Sequence, residues 1–264
     1  MVKTALKRIY TFLIFSFLYA PIIVLIVFSF NESKSRAHWT GFTLKWYVEM
    51  FKDRQIMTSL YNTITIALVS SIIATVLGTI AAVGIHYMKK TPRTIMMNLT
   101  YLPVLNPDIV TGISLMLLFI LMKVERGFFS MLIAHITFNL PYVILSVMPK
   151  LKQLDNHLYD AALDLGATPV YAFRKVIIPQ IAPGIFTGFL LALTMSIDDF
   201  VISFFTTGPG VSNLAITIYS MARKGVSPKI NAVLSIMFAG VILMLLIINN
   251  RMSRDNNGRK ENVA

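Results

Sequence analysis

Three carboxylates stand in otherwise apolar stretches of this 264-residue chain and are the groups best suited to bind a charged molecule. Asp108 interrupts one uncharged run, and Asp198 and Asp199 stand side by side near the end of another. An ionised side chain at the bilayer centre costs roughly 2.5–3.5 kcal/mol, and such residues usually face a bundle interior or a water-filled path. Because carboxylates pair with ammonium groups, the three acids predict a receiving site for a cation with several positive charges.

The residues beside these acids suggest how each is presented. Pro103 and Pro107 each remove a backbone donor before Asp108, which predicts an interrupted helix. Broken spans expose carbonyl groups and recur at transporter binding sites; the alternative is simple packing kinks, with Asp108 as a helix cap. Successive helical residues project about 100° apart, so we expect only one of Asp198 and Asp199 to face the pathway. The other caps a helix or pairs with a partner's Arg or Lys.

Three further side chains are weaker candidates for the substrate pathway. Ser196 precedes the acid pair by two residues and offers a hydroxyl. Trp46 and Tyr19 could contact a cation through their ring faces, although Trp46 also suits a membrane-interface anchor and Tyr19 suits packing. His135 is expected to make an interhelical hydrogen bond. The chain has no cysteine, and its four histidines are not at metal-ligand spacing, so we predict no metal site and no catalytic residues.

Membrane helices are the elements that must position these side chains. Hydrophobic residues make up 56% of the chain, and charged residues only 14%, against about 25% in an average soluble domain. A span needs about 20 mostly apolar residues and must be helical, because lipid offers the backbone no hydrogen-bond partners. One transmembrane domain over residues 1–264 is expected. Its six predicted spans are 9–30, 60–88, 95–121, 128–148, 180–205 and 230–250.

The net charge of +12 lies in short clusters between the apolar runs. No continuous basic face is interleaved with aromatic residues, so nucleic acid is not an expected partner. Lys and Arg are more frequent in the loops that share a side with the two termini. By the positive-inside rule, both termini are predicted to lie in the cytoplasm.

The loop between the fourth and fifth spans, residues 150–179, has a pattern of its own. Apolar residues recur at three- and four-residue spacing, which predicts a short helix with an apolar stripe: Leu158, Ala161, Ala162 and Leu165. Gly166 is expected to end that helix. Thr168 can cap a second helix, with Pro169 at its first position. Such a loop suits docking into a partner's groove or, alternatively, a position at the lipid interface.

This loop resembles the cytoplasmic loop of ATP-binding-cassette (ABC) importer permeases. That family has Glu-Ala-Ala, three residues, Gly, nine residues, then Ile-x-Leu-Pro, and the matching positions here are Asp160, Ala161, Ala162, Gly166, Val176, Ile178 and Pro179. The resemblance implies an all-α type I importer permease of six transmembrane helices. It also implies that this loop is the coupling helix, which enters a cleft of a separate ATPase dimer. No Gly-x-x-x-x-Gly-Lys-[Ser/Thr] phosphate loop occurs in the chain. ATP and Mg are therefore expected on that partner, with no cofactor here.

A longer resemblance is to the permeases of bacterial spermidine/putrescine importers. The residues that carry it are Tyr19–Ile23, Phe28–Asn31, Trp39–Tyr47, Pro107–Val110, Ser196–Phe200, Ile218–Ser220 and Gly225–Pro228. It implies a polyamine pathway in the cytoplasmic (inner) membrane, a second related permease subunit and an extracytoplasmic polyamine-binding protein. An importer permease for another solute is the alternative, and a secondary transporter is a weaker one.

Overall fold

Helices make up almost all of the computed structural model, which describes residues 2–34, 38–155, 157–223 and 228–243. Within those ranges the chain has no strand beyond one isolated bridge between Asn31 and Phe42. The helices are α1 Val2–Ser29, α2 Lys45–Lys52, α3 Arg54–Tyr87, α4 Lys90–Leu105, α5 Asp108–Leu121, α6 Phe128–Gln153, α7 His157–Asp164, α8 Pro169–Ala172, α9 Ile178–Asp198, α10 Val201–Thr206, α11 Leu214–Arg223 and α12 Pro228–Leu243. A π-helical turn, Phe173–Ile177, joins α8 to α9.

The predicted all-helical membrane fold is confirmed. Among the described residues, four segments are long and apolar enough to cross a bilayer, and the bent pair formed by α4 and α5 could make a fifth span. The sixth predicted span, 230–250, is described only as far as the end of α12. The second span begins earlier than residue 60, because the Asp53 carboxylate accepts the backbone N–H groups of Gln55 and Ile56 and so starts α3.

The predicted third span is interrupted between two helices, as the prolines predicted. α4 and α5 meet at an angle of 105°, and the break falls at Asn106 and Pro107, both in extended conformations. A residue before proline avoids the helical region, and proline has no N–H to donate, which explains the position of the break. Pro103, by contrast, lies inside α4 without ending it.

The fifth span is also broken, and here the prediction of one helix over 180–205 is wrong. α9 ends at Asp198, Asp199 is extended, and the short helix α10 follows. The physical reason is local: the Asp199 carboxylate accepts N–H groups at the start of α10, so a new helix begins where the apolar run alone predicts continuation.

The chain divides into two compact units, residues 1–57 with 218–264 and residues 58–217. In the second unit α6 packs along α9. Two glycines of α9 permit this close approach: a Cβ built on Gly184 would lie 3.0 Å from the carbonyl oxygen of Ser146, and one on Gly188 would lie 3.2 Å from Cα of Val143. α10 packs against α5 and α6 in the same unit.

In the first unit, the end of α1 is tied to α2. The Ser29 and Tyr47 hydroxyls are 2.7 Å apart, and the indole N–H of Trp46 donates to the Asn31 carbonyl at 2.7 Å. No residue in the most apolar stretch of α1 is buried within the chain. A helix that is apolar all round and has no protein covering it is suited to a lipid environment.

Candidate functional site

The two neighbouring aspartates point into different surroundings. The Asp199 side chain is only 6% exposed. Its two carboxylate oxygens accept the N–H groups of Ile202 at 3.0 Å and Ser203 at 2.7 Å, and the His135 Nε2 lies 3.5 Å from Oδ2. The carboxylate thus sits at the positive end of α10, where negative charge is stabilised. Asp199 is the member of the pair that caps a helix, one of the two roles expected from the sequence.

His135, on α6, is hydrogen-bonded to residues on both sides of the break at Asp199. Its Nδ1 lies 3.0 Å from the Ser196 hydroxyl, and its Nε2 lies 2.9 Å from the Ser203 hydroxyl. The imidazole is 1% exposed and bridges α9 to α10 across the break at Asp199. The prediction that His135 makes interhelical hydrogen bonds is confirmed.

Two asparagines complete the same buried network. Asn139 donates to the Ser196 hydroxyl at 2.8 Å, while Asn213 donates to the Ser203 hydroxyl at 2.7 Å and to the Asp199 carbonyl at 2.9 Å. Ser196, at 2% exposed, is therefore surrounded by protein partners. This polar network, defined as His135, Asn139, Ser196, Asp199, Ser203 and Asn213, joins three helices and the loop before α11.

Asp198 is the exposed member of the pair. Its carboxylate is close enough to those of Asp199 and, from α5, Asp108 to be repelled by both. Asp108 is itself exposed at the first position of α5, directly after the break in the third span. The structure therefore brings the three predicted acids into one region, with two carboxylates accessible and one buried.

Tyr142 is a member of this region that the sequence reasoning missed. It lies on α6, half-buried, and interacts electrostatically with Asp108. The available signal was helical spacing: His135, Asn139 and Tyr142 recur at intervals of four and three residues, which places them on one face of α6. Its ring adds aromatic surface within electrostatic range of Asp108.

Trp46 and Tyr19 belong to the first unit, whereas the three acids belong to the second. Trp46 is 2% exposed, with its ring nitrogen bonded to Asn31 and the Lys45 ammonium 5.6 Å from its ring centre. Its burial gives it a packing role. Tyr19 is 46% exposed on α1 and stacks on Phe15, with ring centres 6.2 Å apart, which matches the packing alternative.

The 150–179 loop has the predicted form. α7 ends at Asp164 and Gly166 has φ +86°, a left-handed conformation that favours glycine. Thr168 caps α8 by accepting the N–H of Tyr171, with Pro169 at the first position. No residue of α7 is buried. The apolar side chains at this turn are open: Leu165 is 89% and Val170 75% exposed.

The motif positions of this loop divide into two groups. Asp160, Ala161, Ala162 and Gly166 lie on the unburied α7 and the turn after it. Val176 lies in the π-helical turn, Ile178 packs against the buried core of the second unit, and Pro179 lies in the first turn of α9. The first group is available to a partner, whereas Ile178 and Pro179 build the base of α9.

Across the described ranges, no group of three or more His, Asp or Glu side chains is placed to hold a metal ion. The acids and the aromatic ring of Tyr142 can instead attract an organic cation through charge pairing and ring contact.

Comparison with known proteins gives a family match over most of the chain. Residues 74–250 match the family described as binding-protein-dependent transport system inner membrane component. The spermidine/putrescine transport system permease protein PotC of Escherichia coli (strain K12) is 38% identical over 242 residues, covering 92% of this chain and 91% of that protein. The putrescine transport system permease protein PotI of the same strain is 36% identical over 261 residues, covering 96% and 93%.

Solved structures share the fold at low sequence identity. A chain of a bacterial ABC transporter that imports the acidic polysaccharide alginate superposes with a TM-score of 0.75 at 13% identity, covering 94% of this chain and 96% of that one. A chain of the methionine ABC transporter MetNI gives a TM-score of 0.60 at 15% identity, covering 80% and 98%. These similarities support the type I importer permease fold expected from the loop motif.

Proposed function

The chain belongs to the family of binding-protein-dependent transport system inner membrane components, and on that premise we propose that it is a permease subunit of an ATP-driven polyamine importer. The names of its relatives supply the substrate class, since PotC and PotI are named for spermidine and putrescine transport. The pathway would lie in the bacterial cytoplasmic membrane, with both termini in the cytoplasm. The proposed partners are an ABC ATPase dimer that holds ATP and Mg, a second related permease and an extracytoplasmic polyamine-binding protein.

The observation that carries the substrate assignment is the exposed pair Asp108 and Asp198. Polyamines carry ammonium groups on flexible apolar stems, so they need separated carboxylates and an apolar or aromatic surface between them. Here two accessible carboxylates lie within electrostatic range of each other, and Tyr142 stands beside Asp108. Asp199 and Ser196 do not contact the substrate directly in this proposal. They support the site through their hydrogen bonds in the buried polar network.

The test is uptake of radiolabelled spermidine by cells that express the whole transporter with Asp108→Asn or Asp198→Asn. Because a hydrogen bond to a charged group contributes roughly 1.5–3 kcal/mol and about 1.4 kcal/mol is a tenfold change, we expect each variant to slow uptake by about tenfold or more. Glu125→Gln is the matched control, since Glu125 is an exposed acid in the loop between α5 and α6. Normal uptake in both aspartate variants at wild-type membrane levels would contradict the acid site.

We also propose that the α7–α8 turn is the docking surface for the ATPase. The support is the exposure of Leu165 and Val170 on a rigidly capped turn, together with the family motif. Leu165→Asp is expected to abolish co-purification of the ATPase with the chain. Thr91→Asp, which introduces the same acidic residue at the exposed start of α4, should leave it intact. An ATPase that still co-purifies with the Leu165 variant and is still stimulated by substrate would refute this docking surface.

A further inference from the structure

The short helix α2 presents three different faces. Trp46 and Met50, four residues apart, are 2% and 3% exposed and face the protein. The charged residues Lys45, Glu49 and Lys52 recur at intervals of four and three and form a second face. A third face is apolar yet open: Leu44, immediately before α2, is 54% exposed, Val48 is 51% and Phe51 is 59%. We call Leu44, Val48 and Phe51 the outer stripe.

Contacts inside the first unit place α2 at the end of a membrane helix. α1 is apolar over Leu6–Ser29, and its last residue, Ser29, is hydrogen-bonded to Tyr47 of α2. Phe30, the next residue, lies 5.2 Å from the Tyr47 ring and 5.3 Å from the Phe42 ring, centre to centre. α2 therefore lies beside the end of the apolar helix α1.

The charged face is held at the beginning of another apolar helix. The Lys229 ammonium lies 3.8 Å from Glu49 and 3.5 Å from Asp53, and Lys229 is in the first turn of α12. Two apolar helices, one ending and one beginning, thus meet α2 at the same boundary. The outer stripe lies on a different side of α2 from the Trp46 face, which is covered by protein.

We propose that the outer stripe of α2 contacts phospholipid at the membrane boundary where α1 ends. The apolar surface of α1 is uncovered by the rest of the chain, and the Ser29–Tyr47 hydrogen bond joins the end of α1 to the residue before Val48 of the stripe. Trp39 and Phe42, 51% and 69% exposed, are of the types that concentrate at membrane–water interfaces. On the adjoining face, the long side chains of Lys45 and Lys52 can extend to headgroups while their stems cover apolar surface.

The chain suits a direct test because it has no native cysteine. Val48→Cys and Phe51→Cys would each be labelled with a nitroxide in the assembled transporter, reconstituted in phosphatidylglycerol–phosphatidylethanolamine vesicles. Lys45→Cys and Lys52→Cys on the charged face are the matched controls. We expect labels at the outer stripe to collide more with oxygen, which concentrates in lipid, than with a water-soluble nickel chelate. We expect the opposite ratio at the two lysine positions.

A second measurement separates lipid from a protein partner. A bimane fluorophore at Val48→Cys should lose most of its emission when the vesicles contain phospholipids brominated near the top of the acyl chains, and the Lys45→Cys control should lose little. A label that is immobilised and shielded from both oxygen and nickel would indicate a protein partner and overturn the proposal. Labels at Val48 and Phe51 that are open to nickel and unquenched by brominated lipid would also overturn it, because the stripe would then face water.

Discussion

Replacing each of the two adjacent aspartates by alanine should have different effects on stability and on transport. Asp199→Ala removes the acceptor of two backbone N–H groups, at 3.0 and 2.7 Å, in a site where the carboxylate is 6% exposed. Loss of a helix cap costs about 0.5–2 kcal/mol, and a buried donor left without a partner costs about 1–3 kcal/mol. We therefore expect Asp199→Ala to lower the free energy of unfolding by roughly 2–4 kcal/mol. Asp198→Ala removes an exposed carboxylate that does not cap a helix. We expect it to lower the free energy of unfolding by no more than about 0.5 kcal/mol.

The assay is thermal unfolding of the purified assembly in detergent, followed by size-exclusion chromatography with fluorescence detection. A loss of that size should lower the Tm of the Asp199→Ala variant by roughly 5–15 °C, while Asp198→Ala should match the wild type. Asp199→Asn keeps one acceptor oxygen and loses the charge, and since charged hydrogen bonds are roughly twice as strong as neutral ones, its Tm should fall between the two. Uptake should not follow stability, because Asp198→Ala is expected to impair uptake although its Tm is unchanged. Equal Tm values for the two alanine variants, or a greater loss at Asp198, would refute the assignment of Asp199 as the cap.

Three further predictions concern close approaches and turns. A Cβ on Gly184 would lie 3.0 Å from the Ser146 carbonyl, so Gly184→Val should separate α6 from α9 and reduce assembly of the transporter in pull-downs. The control is Gly84→Val, which should assemble normally because the space around Gly84 is open. A Cβ on Gly208 would collide with the Arg126 carbonyl, so Gly208→Ala should lower the Tm well below that of Gly127→Ala, whose added Cβ meets no atom within 4 Å. Gly166→Ala forces a side chain into a left-handed conformation at φ +86°, which costs about 1–2 kcal/mol. We expect this variant to show weaker ATPase stimulation at unchanged membrane levels. Unaltered stimulation would argue against a left-handed turn at the docking surface.

Much of the fold could be predicted because its signals are local. The length and position of the apolar runs located the membrane helices, and the Pro107 break followed from a missing N–H and a restricted preceding residue. Thr168, Pro169 and Gly166 determined the caps of the 150–179 loop in the same way. The prediction was wrong for 180–205 because apolar character continues through Asp199, while the new helix start depends on one carboxylate turning back to bond Ile202 and Ser203.

The sequence by itself determined that the chain spans a membrane, that acids interrupt its third and fifth apolar runs and that a capped turn follows α7. These properties depend on residue type and near neighbours, which are fully contained in the order of the residues. Only the tertiary structure decided that Asp199 is buried against His135 while Asp198 is exposed near Asp108, and that Tyr142 joins them. The reason is physical: burial and electrostatic proximity depend on which helices pack together, and α5, α6 and α9 come together through contacts between residues far apart in the chain.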